Sequence, residues 1–447
     1  MTLDAAELPR LLAGLAAGAK PLDLDAHRAI FGDTLPITRR TLSRAREQLI
    51  AEIGRAGLTG KGGGSFPTAR KLRAVADRGG TPAVVVTATE GEPLSRKDRL
   101  LATRAPHLVL DGALTVAAAL GARRIVLAHD RLHLGVGGRL RAAAASRPEL
   151  AVRGAPDLTV QAVPDGYLSG QETALVAALN GRRAVPAFTP PYPFERGLGR
   201  VPTFVSNIET YAQIALIARY GAAWYRAVGT EQAPGSRLVT VGGAVASPGV
   251  VEVPGGVRAA EVLVAAGGLS EPVAALLLGG YGGTWTRVDP AALELDEVRL
   301  RATGLTLGPG LVFALPASAC PVAEVAAVVR FMAGESAGQC GPCRFGLEAI
   351  AGALQDLCAD DPRGDEPQQI RRWATMVSGR GACAHPDGVA RFAASALTVF
   401  AGEVADHARY GRCERCDQPS VLLPSRPSSA SSLVDAAGTD AIALGGQ

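Results

Sequence analysis

Three cysteines are spaced so that their sulfurs could do redox or metal chemistry. Gly338-Gln339-Cys340-Gly341-Pro342-Cys343-Arg344 sets two thiols in a glycine-rich turn ahead of a helical pattern. Gly381-Ala382-Cys383-Ala384-His385 follows forty residues later. Thiolates in such a turn converge on a metal ion or an iron–sulfur cluster. A CxxC pair alone also suits a redox couple or half a zinc site. The chain has seven cysteines and none precedes Cys320. A secreted disulfide framework would not confine them to one end, so a local metal or cluster module is indicated. Cys358 shares the spacing of Leu347, Ile350, Leu354 and Leu357 and reads as core. Cys320 suits a packed strand-to-helix corner. Cys413 and Cys416 fall in a tail that reads as mobile. Their thiols are open to a partner, to zinc or to no role. His385 by itself reads as a polar loop residue.

A second group could hold an anion. The run Gly57-Leu58-Thr59-Gly60-Lys61-Gly62-Gly63-Gly64-Ser65-Phe66-Pro67-Thr68 opens a helix through Ala69–Ala76. Consecutive glycines let the backbone approach a ligand closely. Free N–H groups at a helix start favour phosphate, and Lys61 and Lys71 add charge. No strand immediately precedes the loop and no Gly-Lys-Ser/Thr follows, so it is neither a dinucleotide fingerprint nor a P-loop. By itself it is equally a flexible surface loop. Carboxylates follow two apolar runs: Glu90 and Glu92 after Ala83–Val86, and Glu172 after Leu158–Val163. Ligands of open α/β sheets sit beyond such strand ends.

These groups need elements to position them. Ala83–Val86, Arg124–Ala128 and Leu158–Val163 read as buried strands, with helices over Pro106–Leu120 and Thr173–Leu179. Strands alternating with helices predict a layered α/β domain with a largely parallel sheet. Arg237–Val245 and Val250–Val253 flank a turn like a hairpin. Val257–Ala266 reads as a helix, and Leu276–Gly280 and Leu311–Leu315 as strands of a compact module. From Pro321 the pattern is helical: Val322–Met332, Phe345–Leu357, Gln368–Val377 and Gly388–Ala405. A Pro/Ser-rich run after Cys416 is expected to be disordered.

The four signatures together resemble the flavin- and iron–sulfur-binding NADH-dehydrogenase subunit of respiratory complex I and its hydrogenase and formate dehydrogenase relatives. The glycine run is similar to that family's GRGGAGFPT loop, which wraps FMN. The resemblance places Gly60, Lys61, Gly62 and Gly63 on the flavin, Lys71 on its phosphate side and Phe66 near the nicotinamide nucleotide. Thr87 to Pro93 resemble NADEGEP, with Glu90 and Glu92 kept and Thr87 and Thr89 in place of Asn and Asp. Lys97, Asp98 and Arg99 also match. Tyr167, Gly170 and Glu172 match YICGEETAL, with Gln171 replacing a glutamate. Tyr192 keeps an aromatic that packs on the nucleotide, while Thr189 replaces a lysine. Ser206, Asn207 and Thr210 match PTTINNVET, with Ser206 for the first asparagine. The resemblance implies that Glu92, Tyr167 and Glu172 shape the reaction site.

Glu335, Ser336, Gly338, Cys340, Pro342, Cys343 and Arg344 resemble the motif ESCGxCxPCR, which with a distant cysteine holds a four-iron cluster. Ala337 stands where the first cysteine belongs. Cys340, Cys343 and Cys383 therefore supply three thiolates. The fourth iron needs Ser336, Cys320 or His385, or a 3Fe–4S cluster forms, or none does. Residues 237–315 resemble the SLBB β-grasp module of the same subunits.

The fold expected is a Rossmann-like α/β domain for FMN and NADH, then a ubiquitin-like β-grasp module, then a helical bundle for an iron–sulfur cluster. The divisions are a helical lead-in over 1–45, the flavin domain over 46–232, the β-grasp module over 237–315, the cluster domain over 318–410 and the tail over 411–447. The function implied is NADH oxidation, with electrons passing from FMN through a cluster to a ferredoxin-like or thioredoxin-like iron–sulfur subunit. The alternative is an electron-transfer or scaffold subunit that does not oxidise NADH, suggested by Thr189, Gln171 and Ala337.

Composition agrees with these readings. The 447 residues are 47% hydrophobic, enough for roughly three domains. Lys plus Arg is 46 against 42 Asp plus Glu, interspersed without a basic block, so nucleic-acid binding is not indicated. No apolar run reaches the ~20 residues of a membrane span. The first ten residues lack a secretory layout. A cytoplasmic protein without direct membrane insertion is expected.

Overall fold

The computed structural model describes residues 4, 6–15, 20–33, 42–423 and 441–443. Four strands, β1 (Ala83–Ala88), β2 (Arg124–Asp130), β3 (Asp157–Val163) and β4 (Thr203–Asn207), form a wholly parallel sheet in the order β3-β2-β1-β4. β4 is not among the predicted strands, because Thr-Phe-Val-Ser-Asn is short and polar at both ends. Alternation in β1 explains the two covered faces. Val84 and Val86 join the core that includes Pro106–Leu120 and Ile208–Arg226, while Val85 joins the core under Glu172–Leu179. Parallel strands buried on both faces read as unbroken apolar runs, as β1 does.

Strands β5 (Ser236–Gly243) and β6 (Gly249–Pro254) make the expected hairpin. With β7 (Val273–Leu278), β8 (Thr284–Thr286), β9 (Leu311–Pro316) and β10 (Ala441–Ala443) they form a second sheet, ordered β10-β6-β5-β9-β7-β8. The helix Ala259–Ala265 closes its core. Helices Pro321–Gly334, Leu347–Leu357, Glu366–Val377, His385–Val399 and Ala401–Tyr410 follow.

Three expectations need correction. The predicted helix Gly388–Ala405 is two helices bent by 86°. Phe400 sits at the bend, fully buried with its ring 5.1 Å from that of Trp285, and a straight helix would carry it away. The boundary at residue 45 falls inside the helix Leu42–Ala56. The tail is not mobile as far as residue 423. Glu324 is buried there and needs donors, which Val421 N–H (2.9 Å), Leu422 N–H (3.1 Å) and Ser420 Oγ (2.6 Å) supply. The Pro/Ser run itself lies outside the described residues.

The lead-in is also tied down. The Arg10 guanidinium donates to the Trp224 and Tyr225 carbonyls and lies 3.9 Å over the Trp224 ring. The buried carboxylate of Glu252 on β6 accepts N–H bonds from Arg10, Leu11 and Leu12. Among the described residues no single helix is long and apolar enough to cross a membrane.

Candidate functional site

The glycine loop lies over the carboxyl end of β4. Gly60 N–H donates to Phe66 O (2.9 Å), closing the loop, and Lys61 N–H donates to the buried Thr210 hydroxyl (3.0 Å). A Cβ on Gly62 would stand 3.2 Å from Cβ of Asn207, so glycine lets the loop rest on that residue. Gly63 holds φ +103°, which L side chains rarely adopt. Half-buried Lys61 has its ammonium pushed down to about 8 by burial, with Arg237 adding repulsion.

Beneath the loop is a buried ionic floor. The Lys97 ammonium lies 2.8 Å from Asp98 and 2.9 Å from Glu209. Burial opposes its charge, but the two carboxylates outweigh burial and hold it above the usual lysine range. Asn207 Nδ2 donates to Asp98 (2.6 Å), and its Oδ1 caps the helix Ile208–Arg226 through Glu209 N–H (3.0 Å). Asn207 and Thr210 thus hold the loop from below, and the Asn207 amide is already occupied.

Several residues of the resemblance turn away from a ligand. Both Glu90 oxygens are occupied: Ser95 Oγ (2.7 Å) and Asp98 N–H (3.0 Å) donate to one, Arg99 Nε (3.1 Å) to the other. Glu90 therefore caps the helix Lys97–Arg104. The Gln171 side-chain oxygen caps Glu172–Leu179, accepting from Ala174 N–H (2.8 Å) and Thr173 Oγ1 (2.7 Å). Its amide NH2 alone is left for a ligand.

Others face the strand ends. Lys71 Nζ reaches across to Glu172 at 2.8 Å. Glu172 Oε1, Thr89 Oγ1 and Thr68 Oγ1 are buried without a hydrogen-bond partner among the described residues. A Cβ on Gly170 would meet Thr89 Oγ1 at 2.9 Å. Thr87 and Ser206 lie on neighbouring strands, Thr87 paired with Asn207 and Ser206 with Val86. Phe66 is half exposed above Arg70, and Tyr192 is exposed and stacked on Phe194, 5.2 Å between centroids. Buried polar atoms without partners at the carboxyl ends of parallel strands fit a polar ligand such as flavin.

Glu92 and Tyr167 belong to the junction of the three modules. Glu92 accepts from Tyr281 N–H (2.9 Å) of the second sheet's module and lies 3.4 Å from the Tyr167 hydroxyl. Burial pushes its carboxyl up to about 8, against those donors. Tyr167 N–H donates to Glu335 (2.8 Å) at the head of the cysteine motif, and its ring lies 5.5 Å from that of His385. Asp130, which sequence reasoning missed, ends β2, accepts Glu90 N–H (2.8 Å) and is pushed up to about 6 by burial. Only the sheet register brings it here.

Cys340, Cys343 and Cys383 interact electrostatically with one another across the Pro342–Gly346 π-helical turn and the start of His385–Val399. Cys343 is buried and its thiol is pushed up to about 12 by burial and then by Cys340. His385 is not the polar loop residue expected. It is buried, its Nε2 donates to Met332 O (2.9 Å), and its Nδ1 makes no hydrogen bond among the described residues.

The FMN-binding domain described as Nuo51 matches residues 53–216, and the iron–sulfur binding region of NADH-ubiquinone oxidoreductase-F matches 323–407. An SLBB domain matches 238–288. The F subunit of the Streptomyces coelicolor NADH-quinone oxidoreductase is 32% identical over 384 residues, 83% of this chain and 85% of its own. The chain belongs to the family of NADH-quinone oxidoreductase F subunits. The F 2 subunit of the Rhizobium meliloti enzyme is 30% identical over 393 residues, 82% of this chain and 90% of its own. A chain of the NAD+-reducing NiFe-hydrogenase in its H2-reduced state superposes with a TM-score of 0.76 at 29% identity. That match covers 84% of this chain and 66% of the hydrogenase chain. The expected flavin fold, β-grasp module and cluster region are all present in this member of the family.

Proposed function

We propose that this chain oxidises NADH on FMN seated over the ends of β1 to β4 and sends the electrons through an iron–sulfur cluster to a partner subunit. The clamp from Tyr167 N–H to Glu335 carries this reading, because it fixes the flavin sheet against the cysteine motif. Bound FMN would supply hydride acceptance and one-electron release, the chemistry that links a two-electron donor to a one-electron cluster.

The chain's own residues bind, orient and exclude charge. Gly60, Lys61, Gly62 and Gly63 would wrap the flavin, Lys71 would hold its phosphate, and Phe66 and Tyr192 would flank the nucleotide. Among the described residues, Glu172 Oε1, Thr89 Oγ1, Thr68 Oγ1 and the Gln171 amide are polar atoms left for the ring and ribose. Burial favours the protonated form of Glu92, which limits negative charge where the flavin sheet meets the second module.

Cys340, Cys343 and Cys383 would hold three irons. Of the candidates for the fourth, Ser336 precedes the empty cysteine position, and Cys320 opens a 14-residue helix whose far end leads to Cys340. Such a helix is about 20 Å long. The unpartnered Nδ1 favours His385, and a neutral imidazole suits iron. The partner would be a ferredoxin-like or thioredoxin-like iron–sulfur subunit, and the compartment a cytoplasm, whose reducing conditions leave cysteines available as metal ligands.

Anaerobic purification, absorbance, iron analysis and NADH addition test the reading. A flavin band bleached by NADH, with iron present and ferricyanide reduced, is expected. Flavin that NADH leaves unbleached would favour an electron-transfer subunit without NADH oxidation. Absence of flavin would remove the central claim.

A further inference from the structure

The two cysteines of the tail do not stand alone. Cys413 precedes the short turn Glu414–Asp417 and Cys416 lies within it, and their sulfurs are 3.7 Å apart. Cys320, at the start of Pro321–Gly334, puts its sulfur 3.6 Å from that of Cys416 and 3.4 Å from His407 Nε2. All four ligand atoms lie within 4.8 Å of one another. We infer that Cys320, His407, Cys413 and Cys416 form a structural zinc site, distinct from the iron–sulfur cluster.

The spacing identifies the kind of occupant. Sulfurs at about 2.3 Å and a nitrogen at about 2.0 Å from one tetrahedral ion stand about 3.5–3.8 Å apart. The observed separations of 3.4, 3.6 and 3.7 Å lie within 0.1 Å of that spacing, and every other pair lies within 4.8 Å. Thiolates of a four-iron cluster bind four different irons and stand wider than this. The group therefore suits a single ion. Three thiolates with one imidazole select zinc among common ions, and four protein ligands leave no open position for catalysis.

The surroundings are those of a prepared ligand set. His407 Nδ1 lies 3.3 Å from Leu357 O, which fixes the tautomer that leaves the Nε2 lone pair free. Ala323 N–H points at Cys320 Sγ (3.5 Å). Arg415, between the two tail cysteines, donates to the Ala317 and Ala319 carbonyls, both at 3.1 Å, and so anchors the turn beside Cys320. Cys320 and His407 are buried and the other two are half-buried, which leaves a path from solvent. A bound ion would join the first and last helices of the cluster domain to the segment that continues onto Glu324.

Metal analysis of the purified full-length chain tests this, together with zinc-edge X-ray absorption. About one zinc per chain is expected in addition to iron, with three sulfurs and one nitrogen around it. Cys413→Ser/Cys416→Ser should lose the zinc and keep flavin and iron, whereas Cys343→Ser should lose iron and keep zinc. Zinc undiminished in the double variant, iron in place of zinc, or a Cys413–Cys416 disulfide in anaerobically purified protein would each overturn the proposal. The absorption spectrum of the unsubstituted protein decides the matter if a variant fails to fold.

Discussion

The Glu92 carboxyl is lifted to about 8 by burial, although Tyr281 N–H, Leu94 N–H and the Tyr167 hydroxyl favour its charge. An acid whose folded value exceeds its ordinary 4.5 stays protonated in the native state after the unfolded chain has lost its proton. Stability from this group is therefore present below about pH 4.5 and is lost as pH rises towards 8. The slope approaches about 1.4 kcal/mol per pH unit. Glu92→Gln should flatten the fall in denaturation midpoint between pH 5 and 8, and an unchanged slope would show that the carboxyl ionises freely. Lys71 gives the opposite kind of test. Its pair with Glu172 is partly exposed, so its loss should cost less than about 1 kcal/mol of stability. Lys71→Ala should nevertheless weaken flavin binding about tenfold or more, as expected for a charge-assisted phosphate contact. Flavin titration of the apoprotein reads this directly, and unaltered affinity would remove Lys71 from the phosphate site.

Two elements depend on close backbone approach. Helices Pro106–Leu120 and Ile208–Arg226 cross where a Cβ on Gly112 would lie 1.9 Å from the Tyr211 carbonyl oxygen. Backbone cannot yield as a flexible side chain can, so Gly112→Ala should destabilise by about 1–3 kcal/mol through overpacking. A denaturation midpoint equal to the parent's would show that the helices separate freely. The glycine loop differs because its tip over 62–65 carries no core residue, unlike Leu58 at its start. Gly63→Ala forces an L residue to φ +103°, with strain of about 1–3 kcal/mol. That strain should appear as lost flavin content, with the flavin-free protein destabilised by no more than the strain itself. Retained flavin would mean that the loop does not need this conformation.

At the scale of the whole molecule, carboxylates join modules that also share hydrophobic cores, Leu238 and Val250 of the second sheet packing with the flavin domain and Leu277, Trp285 and Phe313 with the cluster helices. Glu92 links the first sheet to Tyr281, Glu335 links Tyr167 to the cysteine motif, and Glu252 straps residues 10–12 onto β6. Glu252 also accepts from Ser236 Oγ (2.6 Å), so Glu252→Gln would turn an amide donor towards donors. A loss of about 2–3 kcal/mol is expected, with earlier proteolytic cleavage near residue 10. Cleavage at the parent's rate would show that Arg10 on Trp224 and Tyr225, with buried Leu11 and Leu12, holds the strap without Glu252.

Local chemistry was readable in the chain. β1 to β3, the glycine loop and the Cys340, Cys343 and Cys383 set could be named because each is contiguous or carries its own spacing. Helix Pro106–Leu120 has the bounds expected, since proline starts it and Gly121 ends it in the left-handed conformation. The roles of single polar side chains were not readable. Glu90, Gln171 and Asn207 occupy family positions, yet their oxygens serve helix starts, and only the turn of each backbone determines that. The Cys320–Cys416 contact joins residues 96 positions apart. Tail composition suggested mobility, because a sequence does not show that a buried Glu324 awaits donors from residues 420–422. Residue type and period determine which elements form and which chemistry is available. Tertiary packing alone decides which donors are already satisfied and which remain for a ligand.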